Sequence, residues 1–140
     1  MPATMRSACH RSCAAGTPGQ GPLAGLAAGL RLAGGAGAAF APCDMPFLTR
    51  AVYDRLTLTS GDGSGAYARS PKGEEPLVAV LRGDVHAALM AAVAQGTLPR
   101  THKALDAAGV RSVAFDDAAP FSNINTPDDL AAAEARLAQP

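Results

Sequence analysis

The chain has 140 residues, twelve Lys and Arg against twelve Asp and Glu, 4% aromatics and no Trp. That length gives one domain with a real core, built here from small residues with helices lying close to a sheet. The zero net charge argues against a nucleic-acid surface, no apolar run approaches a membrane span, and three cysteines exclude a complete intrachain disulfide framework, so a reducing cytoplasm is the simplest setting.

Residues 1–20 are rich in Ala, Ser, Gly, Pro and Arg without a sustained period and read as an irregular leader, with the folded domain over 21–140. Cys9-His10-x-x-Cys13 lacks the second ligand pair that zinc requires. The charge is uneven. Residues 1–43 hold Arg6, Arg11 and Arg31 and no acid, so they carry +3, and the remainder carries −3. From Pro22 the residues Leu23, Leu26, Ala27, Leu30 and Ala33 fall at helical spacing, and Gly34-Gly35 ends that helix. Ala38–Ala41 reads as a short buried strand. Thr49 is placed to cap a helix with Val52, Tyr53 and Leu56 on one face, and Ser60–Gly65 is a turn or loop.

Leu77–Leu81 is a near-continuous apolar run, as expected for a central strand covered on both faces. Val85–Gln95 is helical, with Val85, Leu89 and Val93 in register and Gly96 as its stop. Pro99–Ala108 forms another helix ended by Gly109, and Val110–Phe115 alternates as a strand does. Thr126-Pro127-Asp128-Asp129 combines a cap residue, Pro at the first helical position and two acids in the first turn. Leu130, Ala133 and Leu137 then predict the buried stripe of a last helix. The alternation of helices and strands argues for an α/β layer fold with a mostly parallel sheet.

Three motifs stand out for chemistry. In Ala39-Phe-Ala-Pro-Cys-Asp-Met-Pro46 an apolar segment ends at one carboxylate, and Pro46 forces a turn just after Asp44. Ligands of open α/β sheets sit beyond the carboxyl ends of strands, and a lone acid there suits a divalent cation carrying phosphate oxygens. Asp is also a favoured capping residue, so both readings of Asp44 are open from this segment. Gly21-Pro22-Leu23-Ala24-Gly25 opens the first helix, where glycine lets backbone N–H groups approach an anion, although Pro at this place is also ordinary capping. Asn123 and Asn125 lie two apart, so in extended chain their carboxamides share one face, available to a polar ligand or to local backbone.

The segments Gly21-Pro-Leu-Ala-Gly25, Pro42-Cys-Asp-Met-Pro46 and Asn123-Ile-Asn-Thr-Pro-Asp-Asp-Leu130, in this order, resemble the molybdenum cofactor guanylyltransferase family, the MobA-like nucleotidyltransferases. The resemblance runs from about Gly19 to Leu137 and favours the guanylyl members over the related cytidylyl ones. It implies a Rossmann-like nucleotidyltransferase fold, a three-layer α/β sandwich. It also implies transfer of GMP from GTP to molybdopterin, with Mg2+ as cofactor and pyrophosphate as the leaving group. Asp44 would be the catalytic magnesium ligand, Gly21 and Gly25 would lie against the nucleotide, and Asn123 and Asn125 would lie on the molybdopterin side. A molybdoenzyme or its chaperone is the protein partner that the resemblance suggests; no nucleic acid or membrane is expected.

Family members begin with a strand feeding a Leu-Ala-Gly-Gly loop, whose following Arg and Lys hold the GTP phosphates. In this sequence about twenty irregular residues precede Gly21, so the expectation is a domain lacking the N-terminal strand and glycine-rich loop, with impaired catalysis. The alternative readings are a non-catalytic remnant acting as a binding or interaction module and a related cytidylyltransferase.

Overall fold

The computed structural model describes residues 21–95 and 100–139. The expected leader over 1–20, the Cys9/Cys13 pair, the helix stop at Gly96 and the helix start at Pro99 lie outside the described residues.

Helix α1, Gly21–Leu32, buries Leu23, Leu26, Ala27 and Leu30, the stripe that the helical spacing predicts. Strand β1, Ala38–Phe40, is followed by α2, Arg50–Ser60, which turns Val52 and Leu56 inward. Thr49 stands at the α2 N-cap with extended backbone, but its side chain makes no cap hydrogen bond. Next come β2, Gly65–Ser70, and β3, Gly73–Leu81. They are followed by α3, Val85–Ala94, α4, Thr101–Ala107, and β4, Arg111–Ala114. A 3-10 turn at Ala119–Phe121 leads into α5, Pro127–Leu137.

The four strands form one sheet in the order β1-β3-β2-β4. β3 is antiparallel to both of its neighbours, and β2 with β4 is the parallel pair. This corrects the expectation of a mostly parallel sheet. Three strands do run the same way, but the reversed β3 lies between two of them because β2 and β3 form a hairpin. Two residues, Pro71 and Lys72, separate those strands. The register slips between Tyr67 and Ala68, whose partners are Ala79 and Glu75. Pro76 falls within that slip, where a missing N–H interrupts no regular ladder.

Side chains alternate across the sheet and build two apolar layers. Tyr67, Ala79 and Leu81 face α1, α3 and α4, joining Leu26, Leu30, Leu89 and Leu105. Ala66, Ala68, Val78 and Val113 face the other way, against Val52 and Leu56 of α2 and against Met45 and Phe121. Helices therefore cover both faces, giving the three-layer α/β sandwich. Each fully buried Leu or Phe contributes about 1.5–3 kcal/mol by leaving water. The small residues Ala66 and Ala68 let α2 lie close to β2.

Two expectations fail at the margins of the sandwich. β1 is an edge strand with Ala39 exposed, not a buried strand. On α5 only Ala133 is buried, while Leu130 and Leu137 are 47% and 63% exposed. The helix docks through one alanine, so its leucine stripe faces outward.

Candidate functional site

The carboxyl ends of β1 and β4 point to the same side of the sheet, although these strands occupy its opposite edges. The chain leaving β1 reaches Asp44 four residues after Phe40, and the chain leaving β4 passes Phe121 to reach Asn123. Both segments are pinned from below. Met45, next to Asp44, is buried at 8% exposure, and Phe121 is fully buried in the same layer. The Lys72 ammonium, on the β2–β3 turn, donates to the Phe121 carbonyl at 2.8 Å.

The two loops then meet. The Ile124 N–H donates to the Asp44 carbonyl at 2.8 Å, and the Asn123 amide Nδ2 donates to Asp44 Oδ2 at 3.4 Å. The α2 cap position belongs to Thr49, so the Asp44 carboxylate faces Asn123 instead of serving as that helix's cap. Asp44 is half-buried, and the contact with Asn123 engages one of its two oxygens. Among the described residues no three His, Cys, Asp or Glu side chains cluster closely enough to hold a metal ion. A self-contained protein cage is therefore not what these residues offer. One carboxylate beside one carboxamide suits a hard cation that keeps its water or borrows oxygens from a bound phosphate.

Asn125 is placed differently. Its backbone N–H donates to Asp129 Oδ2 at 3.0 Å, as does that of Thr126, and Asp129 N–H returns a bond to Thr126 Oγ1 at 3.1 Å. This is the capping box of α5, and the accepted N–H bonds hold the Asp129 carboxyl below the usual carboxylate range. The Asn125 side chain is exposed. The two asparagines therefore take different surroundings, with Asn123 against Asp44 and Asn125 beside the helix cap.

Gly21 has a φ of +66°, a conformation that favours glycine, and opens α1. Among the described residues, methyl groups built at Gly21 and Gly25 would meet nothing within 4 Å. Gly29, one turn further on, instead packs against Phe40, where an added methyl would come 2.5 Å from the ring.

Sequence reasoning missed a cleft of about 200 Å³ beside Asn123. Phe47, Ser122, Ile124, Ala133 and Arg136 are among its other lining residues. The Arg136 guanidinium lies 4.1 Å from the centroid of the Phe47 ring. The signal was faint: Phe47 belongs to the Asp44 segment, and Arg136 lies three residues after Ala133, the one buried position of α5.

Comparison with known proteins fits this geometry. The model of the MobA-like NTP transferase domain matches residues 6–112, a stretch that contains Gly21, Gly25 and Asp44 and stops before Asn123. The chain belongs to the MobA-like NTP transferase family. It is 36% identical over 110 residues to a molybdenum cofactor guanylyltransferase of Serratia proteamaculans, covering 78% of this chain and 55% of that protein. It is 37% identical over 121 residues to one of Cereibacter sphaeroides, covering 84% of this chain and 62% of that protein. This MobA-like chain thus spans a little over half the length of these curated relatives. Among solved structures, it superposes on the molybdopterin-guanine dinucleotide biosynthesis protein A of Archaeoglobus fulgidus with a TM-score of 0.66. The identity there is 30%, over 84% of this chain and 63% of that one. A protein of Aquifex aeolicus, at 16% identity and a TM-score of 0.63, shares the fold.

Proposed function

We propose that this MobA-like chain carries a guanylyltransferase site, which transfers GMP from GTP to molybdopterin and releases pyrophosphate. The observation that carries the proposal is the meeting of Asp44 and Asn123 beyond the carboxyl end of the sheet. Support comes from relatives that are named molybdenum cofactor guanylyltransferases.

In this reading Asp44 holds Mg2+ through the oxygen that Asn123 leaves free. The cation, when bound, supplies neutralisation of charge on the α-phosphate and the leaving pyrophosphate. The chain's own part is positional. Asn123 fixes the Asp44 carboxylate, the Ile124–Asp44 backbone bond holds the two loops together, and the surface at Gly21 and Gly25 receives the nucleotide. Among the described residues no helix is long and apolar enough to cross a membrane, and we place the reaction in the cytoplasm, with a molybdoenzyme or its chaperone as the recipient of product.

The test is direct. Purified chain incubated with GTP, Mg2+ and molybdopterin is assayed for guanine dinucleotide, alongside calorimetry of GTP binding with and without Mg2+. Magnesium-dependent GTP binding is the expected result. Its absence together with absence of product would overturn the reading.

A further inference from the structure

Lys72 is one of the two residues between β2 and β3, yet its side chain leaves that hairpin for another loop. The ammonium donates to the Phe121 carbonyl at 2.8 Å, 49 residues further along the chain. Both ends of this bond are held. At the lysine, the backbone N–H donates to the Ser70 hydroxyl at 3.2 Å, and that hydroxyl donates to Glu75 Oε1 at 2.9 Å. Ser70 is buried, so the turn is fixed from inside the sheet. At the carbonyl, the Phe121 ring is fully buried, with its centroid 5.4 Å from that of Phe115. The Phe115 N–H in turn donates to the Arg69 carbonyl at 2.8 Å, which extends the pairing of β2 with β4. Earlier carbonyls of the 3-10 turn are engaged locally: Ala118 accepts from the Phe121 N–H, and Ala119 from the Ser122 hydroxyl. The Phe121 carbonyl comes at the end of that turn. A positive charge is favourable there, because the last carbonyls of a helix lack internal partners.

We infer that Lys72 is a positioning residue of the Asp44 site: its ammonium fixes the loop at Phe121 so that Asn123 and Ile124 arrive at Asp44. Ser122 is extended, with φ −72° and ψ 127°, and carries the chain straight from the held carbonyl to those two contacts. The Asn123 amide meets Asp44 Oδ2 at 3.4 Å, the long limit of a hydrogen bond, so a small displacement of the loop breaks it. Lys72 therefore acts on the carboxylate without touching it. A bond from a charged donor is stronger than one between neutral groups, and this donor stands on a hairpin whose strand β3 is paired on both sides. A role confined to closing its own hairpin does not account for a bond to a loop that follows β4. The consequence for Mg2+ rests on the guanylyl-transfer reading above, whereas the consequence for the loop does not.

Amide hydrogen exchange of the full chain, followed by NMR, tests this, because the Ile124 N–H is bonded to the Asp44 carbonyl and reports the joined loops. In Lys72→Met, which keeps an unbranched stem and loses donor and charge, the Ile124 amide should exchange roughly ten-fold faster or more, while the amides of β2 and β3 keep the parent's rates. Lys72→Arg supplies a charged donor again and should restore most of the protection. Lys72 is exposed, so both variants keep the fold, which circular dichroism checks. In calorimetry, the Mg2+-dependent part of GTP affinity should fall in Lys72→Met and recover in Lys72→Arg. The inference is overturned by an Ile124 amide that is unprotected in the parent or unchanged in Lys72→Met. Faster exchange spread evenly over β2 and β3, or no recovery in Lys72→Arg, overturns it too, as does unchanged Mg2+-dependent affinity in Lys72→Met beside a parent that binds. Should the parent not bind GTP with Mg2+, the guanylyl reading fails, and the exchange rates still decide the role of Lys72.

Discussion

Asn123 donates its amide to Asp44 Oδ2 at 3.4 Å across 79 residues of sequence, joining loops that leave opposite edges of the sheet. Such a contact is weak in water, with a net contribution of about 1 kcal/mol or less at its length. Its value is orientation. Asp44 has Met45 buried beside it and its own carbonyl bonded to Ile124, so the backbone is fixed and the amide sets the rotation of the carboxylate.

Asp44→Asn should abolish most of the Mg2+-dependent part of GTP affinity, ten-fold or more, because a neutral amide binds the cation far more weakly than a carboxylate. The fold should be unaffected, since the carboxylate is half-buried and its one protein contact can be made by an amide oxygen. Calorimetry with and without Mg2+ checks this. Equal GTP affinity of the variant and the parent in Mg2+ would return Asp44 to the role of a turn residue.

Asn123→Asp places a second carboxylate 3.4 Å from the first. Like charges at that separation repel, and a divalent cation between them relieves the repulsion. The variant should therefore melt below the parent without metal and gain more from Mg2+ than the parent does. Thermal melts at several Mg2+ concentrations read the difference, and an equal Mg2+ response in both proteins would refute the proximity argument.

The site was legible in the sequence where short motifs coincide with chain punctuation. Pro46 marked the turn at Asp44, and Thr126-Pro127 with Asp129 marked the cap that the structure builds in full. What was not legible was tertiary. β2 reads Gly-Ala-Tyr-Ala-Arg-Ser, with little of the β-branched content that signals a strand. It is a strand because it lies between β3 and β4 with α2 against its alanines, which no local pattern reports. Missing β2 also hid the β2–β3 hairpin and so the reversed direction of β3. Leu130 and Leu137 misled for a related reason: helical spacing shows that they share a face, not that anything covers it. The Phe47–Arg136 pair left only a faint signal because its partners are 89 positions apart and Phe47 alone lies in the segment around Asp44.

The capping box should make stability sensitive to acid. The Asp129 carboxyl is held below its ordinary range by the N–H groups of Asn125 and Thr126, so it binds its proton less readily folded than unfolded. Its contribution is fully present above the unfolded value, near pH ~4, and is lost as pH falls through the lower folded value. Asp129→Asn should lower the melting temperature at neutral pH and flatten the fall toward pH 3. Parallel melts between pH 3 and pH 7 test this; curves of equal steepness would contradict it.

Gly65 and Gly73 begin the two strands of the hairpin, β2 and β3, with nearly equal φ, +137° and +138°, and differ in what surrounds them. A methyl at Gly73 would meet nothing within 4 Å, whereas one at Gly65 would come 2.3 Å from the Val80 carbonyl oxygen and 3.0 Å from the Leu81 Cα. Gly73→Ala therefore carries backbone strain alone, of the order of 1–3 kcal/mol. Gly65→Ala adds a clash with the backbone of β3, which is paired on both sides and has little room to yield, so it should be worse by about another 1–3 kcal/mol. Urea denaturation of both variants separates the two effects. Equal losses would mean that β3 moves aside, and the tight β2–β3 pairing that anchors Lys72 beneath the Phe121 loop would then not be the rigid base of the site.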